Sequence, residues 1–128
     1  MKDLTFKEMF DQIENYQCQL SPDITLATDQ EKLDRARICS LATFQEVAEM
    51  VDSFPWKPWR KESDQIMDVK NLEREIIDII FFIAQISRCF GIASADLEDR
   101  FYKVLANDKE RLNNGYSKIT TQNEKTTK

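Results

Sequence analysis

The chain has 128 residues, of which 41% are hydrophobic and 32% charged, the balance of a globular domain with one core. Its net charge of −5 offers no broad basic surface for nucleic acid. The absence of histidine removes Ser-His-Asp and Cys-His catalysis, His-bound zinc and the Glu-x-x-His di-iron bundle.

In chain order, Thr5 opens "TFKE", a capping box with Glu8, and a first helix is expected to run to about Leu20. "SPD" at 21–23 breaks it. Thr28 opens a second capping box, "TDQE", ahead of a long helix from about Asp29 to Ser53. "FPWKPWRKESD" at 54–64 reads as a loop, because its prolines forbid a continuous helix. A third helix starts near Val69 and ends at Gly91, a natural C′ residue. Ser94 is suited to N-cap a fourth helix that reaches about Asn113 and closes with "NNGY". The polar stretch 117–128 is expected to be a disordered tail behind a single domain spanning 1–116.

Only two glycines and three prolines occur, which favours long helices over a many-turned β fold. The economical architecture is all-α, an antiparallel four-helix bundle. The third helix is apolar nearly all round, with Ile76, Ile77, Ile79, Ile80, Phe81 and Ile83 pointing in every direction. Such a helix needs cover on most sides, so a homo-oligomer is expected, a dimer or a tetramer. A fully enclosed central helix is the alternative. Cys18, Cys39 and Cys89 are far apart and form no CxxC pair, so they read as reduced, buried structural thiols. "MKDLTFKEMF" lacks a signal-peptide core, and no apolar run approaches the ~18 residues of a membrane span, so a cytoplasmic location without membrane contact is expected.

Carboxylates interrupt the third helix at "LEREIIDIIFFI". Burying an ionised carboxylate is costly unless it is paired or binds a metal. Glu75 and Asp78 lie at i and i+3, on one face. The second helix carries its own i, i+3 pair, Glu46 and Glu49, roughly opposite an apolar face of Phe44, Val47, Ala48 and Val51. Antiparallel packing lets the two pairs meet. Four carboxylates together repel and raise one another's pKa values, which a hard divalent cation relieves. All-oxygen ligands and the missing histidines point to Mg²⁺, with Mn²⁺ a possible substitute. The plainer reading is a set of solvated charges on an amphipathic bundle.

Elsewhere, the loop interleaves Trp56 and Trp59 with Lys57, Arg60 and Lys61, rings that can stack a nucleobase and cations that can meet phosphates. Tryptophans plugging the core are the alternative. In the fourth helix Lys103, Asn107 and Arg111 recur at i, i+4 and i+8 as a stripe able to hold a polyphosphate, or simply a solvated face.

Glu46-x-x-Glu49 followed by Glu75-x-x-Asp78 resembles the motif of the all-α nucleoside triphosphate pyrophosphohydrolases, the superfamily of MazG and the dimeric dUTPases, with the related phage dCTPases. "FPWKPWRK" is similar to the Phe-Lys-x-Trp segment of dimeric dUTPases, and "FYKVLANDKERLNNGY" resembles their C-terminal Lys/Asn/Arg motif ending in Gly-Tyr. Together these cover residues 44–116. The chain departs from the pattern at Gln45, where the MazG motif often has an acid, and at Val104, where dUTPases usually have Asn.

The resemblance implies Mg²⁺-dependent cleavage of a nucleoside triphosphate between its α- and β-phosphates. Glu46, Glu49, Glu75 and Asp78 would hold metal, with Glu49 as general base. Lys103, Asn107, Arg111, Lys57 and Lys61 would bind phosphates. Trp56, Trp59 and Tyr116 would contact the nucleotide. In that family the first helix carries base-recognition residues, and here it offers Gln12, Asn15, Gln17 and Gln19. A non-catalytic helical interaction module and a nucleotide sensor are the rival functions.

Overall fold

The computed structural model describes residues 3–115. Tyr116 and the expected polar tail at 117–128 lie outside the described residues. Among these residues the fold is all-α. Four helices, α1 (Phe6–Leu20), α2 (Asp29–Val51), α3 (Val69–Cys89) and α4 (Ser94–Asn113), are accompanied by short 3₁₀ turns at Ile24–Leu26 and Glu62–Asp64.

The helix starts follow the local chemistry of the sequence. Thr5 and Glu8 form a reciprocal capping box at α1, and Thr28 and Glu31 form one at α2. Asp68 caps α3 by accepting the Asn71 N–H at 2.9 Å. Helix α2 stops two residues before the expected Ser53, and α4 includes Ser94 as its first residue rather than its cap.

The end of α3 is a Schellman motif. The Gly91 N–H donates to the Arg88 carbonyl at 3.1 Å and the Ile92 N–H to the Ser87 carbonyl at 2.9 Å. Gly91 has φ +67°, a conformation that costs an L side chain.

The chain divides between Ala93 and Ser94 into two compact units. In the first unit, α2 and α3 run antiparallel. Ser53 meets Asn71, Glu46 meets Glu75 and Asp78, and Cys39 meets Gln85. As the index falls along one helix it rises along the other. The loop that joins them is stitched at its base. The Asp68 N–H donates to the Ser53 carbonyl at 2.7 Å, and Asn71 Nδ2 donates to Ser53 Oγ at 2.8 Å. Helix α1 turns Phe10, Ile13 and Gln17 inward, at helical spacing, and Gln17 Nε2 donates to the Phe81 carbonyl of α3 at 2.9 Å. Burying Phe10 contributes roughly 2–3 kcal/mol.

Among the described residues the buried apolar set is small: Phe10, Ile13, Ala36, Cys39, Ala84 and Cys89. Burial is thus as expected for Cys39 and Cys89, whereas Cys18 is exposed. No single helix among the described residues is long and apolar enough to cross a membrane.

Helix α2 packs on α3 through the side that carries Cys39 and Glu46, the side on which the carboxylate pairs were expected to meet. Ile38, Leu41 and Phe44 are left 64–73% exposed. Along α3, Ile76, Ile77 and Ile83 are 40–44% exposed, so the helix is not enclosed.

The second unit is built on α4, which begins with an acid, Asp96, in its first turn and ends with Arg111 in its last, both favourable to the helix dipole.

Gly91→Ala tests the α3 terminus. No atom lies within 4 Å of where the added Cβ would be, so only backbone strain acts. The substitution should cost about 1 kcal/mol in urea unfolding, and Gly91→Asn less, because Asn tolerates the left-handed region.

Candidate metal centre

The α2–α3 seam brings three carboxylates together. Glu46 of α2 and Glu75 and Asp78 of α3 each offer an oxygen, and these oxygens lie within 4.8 Å of one another. Glu75 is buried, while Glu46 and Asp78 are half-buried. Their order follows from the antiparallel register: two turns before Ser53 on one helix, one and two turns after Asn71 on the other.

Glu49 sits differently. It lies one turn after Glu46 on α2, is exposed, and stands outside the close trio. It still acts on Glu46 through charge and hydrogen bonding.

The electrostatics show the strain of this packing. Burial in the seam, hydrogen bonding with Glu75, and the charges of Glu49 and Asp78 push the Glu46 carboxyl from its ordinary 4.5 up to about 7. Glu75 Oε2 is buried with no hydrogen-bond donor. A buried carboxylate oxygen without a donor is unfavourable unless a cation takes the donor's place.

The donor set fits a hard divalent ion. All ligands are oxygens, and opposite oxygens around Mg²⁺ at ~2.1 Å stand ~4.2 Å apart. A spread of up to 4.8 Å closes on one ion with small rotamer movement.

The loop after α2 holds its aromatic rings outward. Trp56 is 44% and Trp59 70% exposed, so they do not plug the core. Their rings meet edge to face at 5.6 Å, Trp56 Nε1 donates to Asp52 Oδ1 at 3.1 Å, and Lys57 Nζ lies 5.8 Å from the Trp56 ring centre. Lys61 is exposed. An open cavity of about 350 Å³ lies among Asp52, Phe54, Trp56, Lys57, Arg60 and Gln65, within the size range of small-molecule sites. The loop conformation depends on Gln65, which bonds the backbone of Trp56, Lys57, Arg60 and Lys61. Sequence reading missed Gln65. No periodicity or motif marks a loop glutamine whose partners lie four to nine residues back.

Sequence reading also missed a small cavity of about 20 Å³ among Gln17, Ser21, Arg35, Gln85, Arg88 and Cys89, sized for one water molecule. Gln17, one of its lining residues, has its Oε1 buried with no donor. Of the other first-helix amides, Gln12, Asn15 and Gln19 are exposed. Burial pushes the Cys39 and Cys89 thiols up, which leaves them protonated and poorly nucleophilic.

On α4, Lys103, Asn107 and Arg111 are exposed along one stripe. Lys103 pairs with Asp99 at 2.7 Å and Arg111 with Asp108 at 3.9 Å. Exposed pairs of this kind contribute little to stability.

Glu46 makes a pH prediction. It holds its proton more tightly folded than unfolded, so its stabilising contribution is present below 4.5 and is lost as the pH rises through about 7. Metal-free protein should lose stability between pH 5 and pH 7.5 by more than Glu46→Gln does. Added Mg²⁺ should raise the melting temperature at pH 7.5 and much less at pH 5, where protons compete. Scanning calorimetry of both proteins reads this directly.

No curated protein and no solved structure gave a significant match to the chain. One family model does match, over residues 6–126, and its description is dUTPase.

Proposed function

The chain belongs to the dUTPase family, whose model spans nearly its whole length, and from that premise we propose that it is a Mg²⁺-dependent (deoxy)nucleoside triphosphate pyrophosphohydrolase. The reaction is dNTP plus water to dNMP plus diphosphate, and its role is control of nucleotide pools in the cytoplasm. The observation that carries this reading is the carboxylate trio of Glu46, Glu75 and Asp78, with a buried oxygen of Glu75 left without a donor.

In this reading Glu46, Glu75 and Asp78, joined by Glu49, hold Mg²⁺, with Mn²⁺ a substitute. When bound, the cation supplies neutralisation of phosphate charge and a more acidic water. Glu49 is the general base. Its exposure, one turn along α2 from Glu46 and outside the close trio, supports a role in taking a proton from water. Trp56 and Trp59 present ring faces to the nucleotide, and Lys57 and Lys61 present charge to its phosphates. The exposure of both rings supports this role. Lys103, Asn107, Arg111 and Tyr116 are assigned to phosphate and nucleotide binding by their likeness to the family's C-terminal motif.

We also propose that the chain works as a homo-oligomer, a dimer or a tetramer. Ile38, Leu41 and Phe44 on α2 are apolar, contiguous and exposed, and a patch of this kind is expected at an interface between subunits.

Glu75→Gln or Asp78→Asn should lower Mg²⁺-dependent diphosphate release by more than about 100-fold, beyond the loss usual for an outer-shell partner, with helical circular dichroism unchanged. A panel of canonical and modified dNTPs is the substrate set. Full activity in both variants would sink the assignment. Phe44→Glu should shift the sedimentation coefficient of the protein toward that of the monomer. A single unchanged species would place the interface elsewhere.

A further inference from the structure

The side-chain amide of Gln65 is saturated. Its Oε1 accepts the backbone N–H of Trp56 at 3.2 Å and of Lys57 at 3.1 Å. Its Nε2 donates to the carbonyls of Lys57 at 3.1 Å, Arg60 at 3.3 Å and Lys61 at 3.4 Å. Two hydrogens serve three carbonyls, so at least one bond is shared. The two N–H groups fix which end is oxygen, and the three carbonyls fix which is nitrogen.

These contacts have a common effect. Residues 56–61 contain Pro58 and form no helix, so their backbone groups have few partners of their own. One side chain ties both ends of that segment, at Trp56–Lys57 and at Arg60–Lys61. Between the ties, Lys57 and Trp59 project from a closed bend, and the Arg60 N–H donates back to the Lys57 carbonyl at 3.2 Å. Gln65 itself is half-buried and lines the open cavity with Trp56, Lys57 and Arg60. No other side chain among the described residues makes more than one hydrogen bond to this backbone segment.

We infer that Gln65 is a positioning residue for substrate, setting the loop that presents Trp56, Lys57, Trp59 and Lys61 without touching the reacting phosphates. The inference rests on the nucleotide reading above for its kinetic consequence, and on geometry alone for the loop order. It separates two roles within the site. The carboxylates of the seam govern the chemical step. Gln65 governs how well the substrate is held before that step, by sparing the loop an ordering cost on binding.

The test uses Gln65→Ala and Gln65→Glu in the full chain. Gln65→Ala removes all five bonds. Gln65→Glu keeps the acceptor for the two N–H groups but sets a carboxylate oxygen against three carbonyls. Expected is a KM raised about tenfold in Gln65→Ala and less in Gln65→Glu, with kcat within about twofold of wild type in both. Hydrogen exchange gives a readout independent of turnover. The Trp56 and Lys57 amides should exchange faster in Gln65→Ala, and remain slower in Gln65→Glu than in Gln65→Ala, while α2 and α3 keep wild-type protection.

An unchanged KM, or a fall in kcat alone, overturns the substrate role. Unchanged exchange at Trp56 and Lys57 overturns the loop role. A wild-type chain that turns over no dNTP sinks the functional reading and the kinetic role with it, while faster exchange in Gln65→Ala still upholds the loop role.

Discussion

Like charges held together in a helix seam are the constraint on which the rest of this structure depends. Helices α2 and α3 could pack more favourably with apolar side chains at these positions. Instead they bring oxygens of Glu46, Glu75 and Asp78 within 4.8 Å of one another, with Glu75 buried between its half-buried neighbours. The cost is visible in the Glu46 carboxyl, whose proton is retained to about pH 7. A seam of this kind is tolerated only when the flanking contacts hold it shut. Those contacts are present at both ends, where Ser53 is bonded by Asp68 and Asn71, and where the Cys39 thiol donates to Gln85 at 3.3 Å.

The same seam explains the small core. Much of the surface between α2 and α3 is given to polar groups, so the buried apolar set cannot be large. The apolar surface of α2 lies on the outside. Stability and assembly are therefore coupled in the proposed oligomer, because the second subunit covers what the monomer cannot. This is the opposite of the usual division, in which apolar faces build the core and acids face water.

Much of the fold could be read from local signals. Both capping boxes, the loop prolines and Gly91 mark their elements within a few residues, because capping and φ preference act over a single turn. Glu75 and Asp78 were legible for the same reason: their contradiction with the surrounding isoleucines is local. Two features were not. The i, i+3 rule made Glu46 and Glu49 equivalent, yet the register of α3 draws in Glu46 and leaves Glu49 outside the trio. Gln65 is an ordinary polar residue until the chain folds back over it. In each case the deciding information lies in a contact between segments, which no local pattern encodes.

The loop has an optical consequence. The chain contains two tryptophans, and both lie in this one bend, their rings edge to face at 5.6 Å. The tryptophan emission of the whole protein therefore arises from a single four-residue stretch, Trp56 to Trp59. Helix unfolding elsewhere, or rearrangement of α1, reaches it only by disturbing that bend. The molecule carries an intrinsic reporter confined to the region where its proposed nucleotide would rest.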